Sequence, residues 1–365
     1  MKSKKIAFCI TCMNRIEHIQ ATLLKNIQDN YLVDDVEFVL LDYNSADGLS
    51  EWVAENFSEY IKEGILTYYK TFTPTAYHRS HSRNMAFKLA NAELVCNLDA
   101  DNFLGEGFAS FLIEQFEREE GIFCSSNYHI RDVIGRICMR KKDFLQIRGY
   151  NEIFSGYGFE DVELTHRLKR NGLKQRVFAN LRYYGAIRHL HEDRLSEEDS
   201  GKSQYRVFLS YLSPYETHYV AIKKDNRYER GLLVDNRHIN ETLVDKTLEH
   251  YEKILDERFQ VMPEDFEEGS WSDDENTLIL KQDNTEKIDF LHQAAQGKFI
   301  LNDIVEFYEV TDAYIKTLFS FLLSGAKNIK CYIDFMRSGN EVNKDGYGQG
   351  VVYKNFNFND SIEVV

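Results

Sequence analysis

The sequence predicts a doubly wound α/β domain with a mostly parallel sheet and helices on both faces, plus a C-terminal extension that is mainly helical or α+β. Three observations carry this. Short apolar runs alternate with segments of helical period through the first half. The runs are apolar throughout rather than alternating, as in strands buried on both faces of a parallel sheet. Three of them stop at polar clusters, residues 11–15, 42–48 and 99–102. In an open parallel sheet such strand ends converge on one edge, where ligands bind.

The elements follow in order. Lys5 to Ile10 is the first strand. A helix follows with Ile16, Ile19, Leu23 and Ile27 on one face. Val36 to Leu41 is the second strand, and the turn residues Asp42 to Gly48 end it. Trp52, Val53, Phe57, Tyr60 and Ile61 mark a second helix, and Ile65 to Tyr69 a third strand. Ser80 to Ala90 is a helix with Met85, Ala86, Leu89 and Ala90 inward. Leu94, Val95, Cys96 and Leu98 form the next strand. A helix with Phe108, Phe111, Leu112 and Phe116 precedes two strands, Ile122 to Ser125 and Ile134 to Met139. After Glu160-Asp161 a helix carries Val162, Leu164 and Leu168, with Gly172 suited to its C-terminal cap.

At 365 residues the chain is long enough for two domains, divided here as 1–200 and 201–365. A net charge of −15 argues against general nucleic-acid binding, which needs a basic surface. The basic start, Met1 to Lys5, leads into an apolar run of Ile6 to Ile10 only. That is too short for a signal-peptide core or a membrane span. The six cysteines lie mostly in apolar runs and read as buried thiols of a reducing compartment. Cys9 and Cys12 form a C-x-x-C without a second pair, so no zinc site is expected.

Asp99 and Asp101 leave the core one residue apart. On an extended chain positions i and i+2 point the same way, so two anionic oxygens would face one point, a site for Mn²⁺ or Mg²⁺. The plain alternative is a polar turn, since Asp and Asn favour turns. Asp42, at the second strand end, is placed to accept from a ribose hydroxyl or a base N–H; a turn or helix-cap role is its alternative. Arg83 opens a helix just before the Asp99 strand, where its fork could meet a diphosphate. No glycine-rich dinucleotide or P-loop pattern occurs. Further on, Gly149, Gly156, Gly158 and several aromatics precede Glu160-Asp161 at a helix start. The helix dipole stabilises such acids, and it would keep a carboxylate base ionised at neutral pH. His189 and His191 end a strand-like run and could complete an oxygen-rich metal site.

Taken in order, these residues resemble the nucleotide-sugar glycosyltransferases of the GT-A fold, family-2-like, over residues 5–195. Gly156 to Asp161, followed by Arg167-Leu168, is similar to the acceptor-side motif of β-1,4-galactosyltransferases and chondroitin-polymerase-type enzymes. That loop has Trp where this chain has Tyr157, and an extra Gly where it has Phe159. The resemblance implies inverting transfer of a sugar from a nucleoside-diphosphate donor, UDP first, to a carbohydrate hydroxyl, in polysaccharide or glycan synthesis. It implies donor contacts at Thr11, Asn14, Arg15, Asp42, Asn44, Arg83, Asp99 and Ala100, and acceptor contacts at Tyr157 and Gly158. It further implies Asp161 as base beside Glu160, and Mn²⁺ or Mg²⁺ on Asp99, Asp101, His189 and His191. The Gly-rich stretch 155–158 is a candidate closing loop.

The implied setting is cytoplasmic, without a membrane span. Peripheral attachment of the protein at the inner membrane is the other setting, and covering the acceptor site, self-association and docking on a membrane-bound synthesis machine are the open options for residues 201–365. In that half, Arg237 to Arg258 and Ala313 to Leu323 read as helices, 263–275 as an acidic linker, Asn328 to Phe335 as a strand and 339–360 as an irregular tail. Two other readings compete: a non-catalytic nucleotide-sugar or glycan-binding protein on the same fold, and a sugar nucleotidyltransferase. The second would want glycine and lysine after the first strand, where this chain has Thr11 to Arg15.

Overall fold

The apolar runs of the first half form strands because every residue of them finds a packing partner on one face or the other. A computed structural model of the chain describes residues 4–31, 35–127, 131–188, 197–198, 204–213, 216–234, 266–339 and 341–365. The strands β1 (Lys4–Cys12), β2 (Val36–Tyr43), β3 (Leu66–Thr71) and β4 (Ala92–Asn97) pair in parallel. β2 and β3 are buried along their whole lengths. Ile6, Phe8 and Ile10 of β1 enter one core with Phe38, Leu40, Leu112 and Phe116. Ala7 and Cys9 enter the opposite core with Val39, Met85, Phe87 and Leu164. Both faces are thus covered, as the continuous apolar pattern requires.

The helices of this unit are α1 (Ile16–Asn30), α2 (Leu49–Asn56), α3 (Ser58–Lys62), α4 (Arg79–Leu89), α5 (Phe108–Arg118), α6 (Lys141–Gln146) and α7 (Glu160–Arg170). The single helix expected through Trp52 and Ile61 is broken at Phe57, whose backbone leaves the helical region. Four further strands are β5 (Asn102–Phe103), β6 (Ile122–Ser125), β7 (Ile137–Arg140) and β8 (Lys174–Val177). A two-residue β9 (Gly185–Ala186) pairs with β5.

The chain divides into two units, Met1–His189 with Asn340–Val365, and Leu190–Gly339. This differs from a cut at residue 200. The last residues are no irregular tail: β18 (Gly350–Lys354) and β19 (Ser361–Val364) form a hairpin, and β18 adds to the free edge of β3. The sheet order is β19-β18-β3-β2-β1-β4-β7-β6-β8. It is parallel at its centre; β7 and β18 run against the central strands, and β19 turns back to their direction. The architecture is a parallel-dominated sheet between helical layers, with an added extension. β1 lies between β2 and β4, so the chain winds away from β1 in both directions. The crevice at such a switch point is where open α/β sheets bind ligands.

In the second unit, eight antiparallel strands close into a barrel. They are β10 (Gln204–Ser213), β11 (Glu216–Lys223), β12 (Arg227–Val234), β13 (Glu267–Asp274), β14 (Thr277–Gln282), β15 (Ile288–Ala295), β16 (Lys298–Leu301) and β17 (Val305–Glu309). Phe208, Val220, Tyr228, Leu280, Leu291 and Phe307 fill its core. The expected acidic linker is largely β13: Glu268, Asp273 and Asp274 are exposed, Glu267 pairs with Arg230 and Lys287, and Gly269 is buried. The helix α8 (Ala313–Ser338) contains both the expected helix at 313–323 and the stretch 328–335 read as a strand. Of the two expectations for the extension, mainly helical or α+β, the barrel and its helix are the α+β one. The helix expected at 237–258 lies outside the described residues. Among the described residues no helix is long and apolar enough to cross a membrane.

Candidate active site

Asp99 and Asp101 do not sit on an extended strand. β4 ends at Asn97, and the Asn102 N–H donates to the Asp99 carbonyl at 3.0 Å, closing a turn over 99–102. The i, i+2 alternation argument therefore gives way to the turn reading, and it is the turn that presents both carboxylates. α1 holds this turn with a buried polar row. The Thr22 hydroxyl donates to the Ala100 carbonyl at 2.7 Å. Asn26 donates to the Asn102 carbonyl at 2.8 Å and accepts from the Leu104 N–H at 2.7 Å. Asn30 does the same for the Gly105 carbonyl and the Ala109 N–H.

Arg83 lies at the centre. Its Nη2 donates to Asp99 Oδ1 at 3.0 Å, and its Nη1 to Glu160 Oε1 at 3.1 Å and Asp161 Oδ1 at 2.9 Å. The end of β4 and the start of α7, far apart in sequence, thus meet on one guanidinium. Gly135 packs against the same point, its carbonyl accepting from Asn97 Nδ2 at 3.0 Å while that nitrogen also donates to Asp99 Oδ1 at 2.9 Å. A second buried arginine, Arg136, donates to Asn102 Oδ1 at 3.0 Å, to the Phe103 carbonyl at 3.1 Å and to the Tyr183 carbonyl. Asn102 in turn donates to Asp101 Oδ1 at 2.8 Å. Each acid of the D-x-D turn therefore has an arginine behind it, Arg83 directly and Arg136 through Asn102.

The electrostatics differ between the acids. Burial alone would raise the Asp99 carboxyl, but the Arg83 guanidinium and the Asn97 and Arg83 hydrogen bonds outweigh it and hold Asp99 below its ordinary value. Burial and the neighbouring Asp99 charge push Asp101 up to about 6. Burial likewise pushes Asp161 up to about 7, with Glu160 and Asp99 adding to the rise and Arg83 opposing it. The helix dipole does not keep Asp161 fully ionised at neutral pH, as the sequence suggested; desolvation prevails.

The other expected site residues are distributed as follows. The Thr11 hydroxyl shares a 2.6 Å hydrogen bond with Tyr77. The charge of Arg15 acts on the Asp101 carboxyl. Asn14 laces β1 to β2, donating its N–H to Ser45 Oγ at 3.1 Å and accepting from the Ala46 N–H at 2.7 Å. Asn44 donates to the Pro74 carbonyl at 2.7 Å. Asp42 is wholly buried and accepts from the Ser45 N–H, the Tyr68 hydroxyl and Lys70 Nζ at 2.7, 2.7 and 2.9 Å. No edge of it faces the crevice, so Asp42 holds the 42–48 turn and its expected ribose contact has no surface to use. Arg83 is 3 % exposed, and both its terminal nitrogens are taken by carboxylates, so the fork expected to meet a diphosphate is occupied.

Phe159, the residue before Glu160, has φ +75°, a left-handed backbone that a bulky side chain rarely adopts. Gly158 before it has φ +96°. The Tyr157 ring lies 4.7 Å from the Arg79 guanidinium, and Tyr77 stands 5.7 Å from the same group. Arg79 lowers the carboxyls of both Asp99 and Asp161. Sequence reasoning missed Arg79, Gly135 and Arg136; only the four-residue spacing of Arg79 and Arg83 on one helix face offered a signal. His189 and His191 lie outside the described residues. The segment leading to them is tied to the turn, because the Ile187 N–H donates to the Asp101 carbonyl at 2.8 Å. Among the described residues no group of three or more metal-ligating side chains gathers. The two carboxylates still suit a hard divalent cation: Asp99 is held below its ordinary value, and Asp101 is raised by burial and by the Asp99 charge, a repulsion that a cation would relieve.

Residues 122–191 match the family described as the N-terminal domain of galactosyltransferase. The matched segment contains Gly135, Arg136, Tyr157, Glu160 and Asp161, and it supports a glycosyltransferase. No curated protein matches the chain. Among solved structures, the chain is similar to the mannosyltransferase PcManGT from Pyrobaculum calidifontis in complex with GDP-Man and Mn²⁺. The identity is 17%, the TM-score 0.41, and the likeness covers 50% of this chain and 56% of that one. It is also similar to S. aureus TarS in complex with UDP, at 15% identity and a TM-score of 0.43, covering 52% of this chain and 62% of that one. The likeness thus spans under two thirds of each solved chain.

Proposed function

We propose that the chain is a metal-dependent inverting glycosyltransferase that moves a sugar from a nucleoside-diphosphate donor, UDP first, to a carbohydrate hydroxyl. The observation that carries this is the meeting of Asp99 and Asp161 on Arg83. Transfer needs a cation-binding carboxylate and a proton acceptor within one substrate's reach of each other. Asp161 accepts the proton of the acceptor hydroxyl, and a carboxyl raised to about 7 is well matched to that task near neutral pH. The freed oxygen attacks the anomeric carbon from the face opposite the diphosphate. A bond from that carbon to the acceptor oxygen forms, the bond to the phosphate oxygen breaks, and the diphosphate leaves with the electron pair. Asp99 and Asp101, with His189 as the candidate third ligand, would hold a Mn²⁺ or Mg²⁺ ion, which would supply neutralisation of charge on that leaving group. Thr11 and Arg15 stand at the β1 end for the donor, and Arg79 with Tyr157 offers a cationic, aromatic contact at the rim. The left-handed residues Gly156, Gly158 and Phe159 let that loop approach the sugar closely and exclude water.

The test is incubation with a panel of UDP- and GDP-sugars and Mn²⁺. Release of the nucleoside diphosphate, lost in Asp99→Ala and Asp101→Ala, is the expected result. Pyrophosphate release would indicate nucleotidyl transfer, and tight UDP binding without turnover a binding protein. Full turnover in both alanine variants would remove the metal assignment.

A further inference from the structure

We propose that Arg83 is a positioning residue of this site, one that joins the metal-side carboxylate to the base, and that Gly135 supplies the space in which the join is made. The proposal rests on the transferase reading above. An arginine that binds a diphosphate needs an open fork, whereas Arg83 is 3 % exposed and spends both terminal nitrogens on Asp99, Glu160 and Asp161. Its guanidinium is backed by the Tyr150 ring at 5.4 Å. Tyr150 is fixed in turn by two backbone hydrogen bonds with Asn84, of 2.7 and 2.8 Å, on the same helix as Arg83. The guanidinium is therefore held by its own helix and cannot swing without breaking that frame.

Gly135 is an independent observation of the same point. A Cβ there would lie 3.0 Å from Asp99 Oδ2, 3.1 Å from Arg83 Nη2 and 3.2 Å from Asp161 Oδ2. All three are site groups, and each would have to move by a few tenths of an ångström. The backbone of Gly135 needs no left-handed conformation, so what a side chain there would meet is the carboxylate cluster and not a turn constraint. Asn97 pins the Gly135 carbonyl and Asp99 together, which leaves the cluster no easy retreat.

The experiment compares Arg83→Lys, Arg83→Gln and Gly135→Ala with the wild type for kcat, donor KM and Mn²⁺-dependent UDP affinity. Misplacing a reacting group by a fraction of an ångström to an ångström costs rate and spares binding, so kcat should fall by about 10–100-fold in Gly135→Ala. UDP affinity and donor KM should stay within about threefold. Arg83→Lys, which keeps the charge but not the fork, should retain more turnover than Arg83→Gln. Loss of UDP affinity with kcat retained would make Arg83 a diphosphate ligand and overturn the proposal, as would unchanged kinetics in Gly135→Ala. Should the Arg83 variants melt early, Gly135→Ala decides alone, since it leaves Arg83 in place. A wild type silent with every donor removes the transferase reading and this proposal together. An active wild type with indifferent variants removes only this proposal.

Discussion

Asp161 combines two properties at the scale of one residue: it is the candidate base, and it is held where its charge is costly. Its folded value of about 7 lies above the ordinary 3.8. Between those values the folded chain keeps a proton that the unfolded chain has released, so stability falls as pH rises from about 4 to about 7. Asp161→Asn should therefore be more stable than the wild type by about 1–3 kcal/mol at pH 8 without added metal, and the difference should vanish near pH 4. The same variant should lose about 10²–10⁴-fold in turnover while binding UDP normally. Denaturation curves at the two pH values and steady-state kinetics check both halves. Stability that does not change with the substitution would show that desolvation is compensated elsewhere. Asp161 and Asp99 were legible as residue types at strand and helix ends. Gly135 and Arg136 were not, because a lone glycine or arginine carries no signal until its neighbours in space are known.

At the scale of elements, α1 shows why a correct helix assignment can miss what the helix does. Its apolar face of Ile19, Leu23 and Ile27 was readable by period. Beside that face runs Thr22, Asn26 and Asn30, spaced by four residues and buried. Those side chains replace the backbone partners that the turn after β4 lacks. Asn26→Ala leaves the Asn102 carbonyl and the Leu104 N–H buried without their bonds, and it should cost about 2–4 kcal/mol. It should also weaken Mn²⁺-dependent UDP binding, because the D-x-D turn loses its brace; calorimetry with UDP reads this, and unaltered affinity would show that the turn stands alone. The barrel strands were missed for a different reason. Their outward faces are rich in charge, as in β13, so the period-2 signal was weak beside the density of carboxylates. The better signal lay in the turns. Asn226, Asn284, Asn302 and Asp303 all have positive φ, and each falls between strands.

At the scale of the whole molecule, the first unit is built from two stretches of chain separated by the second. The returning stretch does more than extend the sheet. Asn343 donates to the carbonyls of Arg148 and Tyr150, both at 2.7 Å, and accepts from the Glu152 N–H at 3.0 Å. The Gly348 N–H donates to Glu152 Oε1 at 2.7 Å, and His81 bonds the Gln349 carbonyl at 3.0 Å. These contacts brace Tyr150 and α4, and through them the Arg83 cluster. Removing residues 341–365 should cost at least about 3 kcal/mol from the burial of Val352 and Val364 alone, and turnover should be lost although no expected site residue is deleted. Thermal melts and the donor assay on the truncated chain test this; a truncated chain of full activity would show the hairpin to be ornamental. This closure could not be read from sequence, because pairing of β18 with β3 joins residues far apart along the chain, and no local pattern encodes such a partner.

That pairing also sets an order of events during synthesis. β3 emerges early from the ribosome, but the strand that covers its edge follows only after Leu190–Gly339 has been made. At about 5–20 residues per second the wait is a few tens of seconds, on the order of 15–55 s. Through that interval the nascent sheet offers an open edge to any neighbouring chain, the circumstance in which strands pair wrongly.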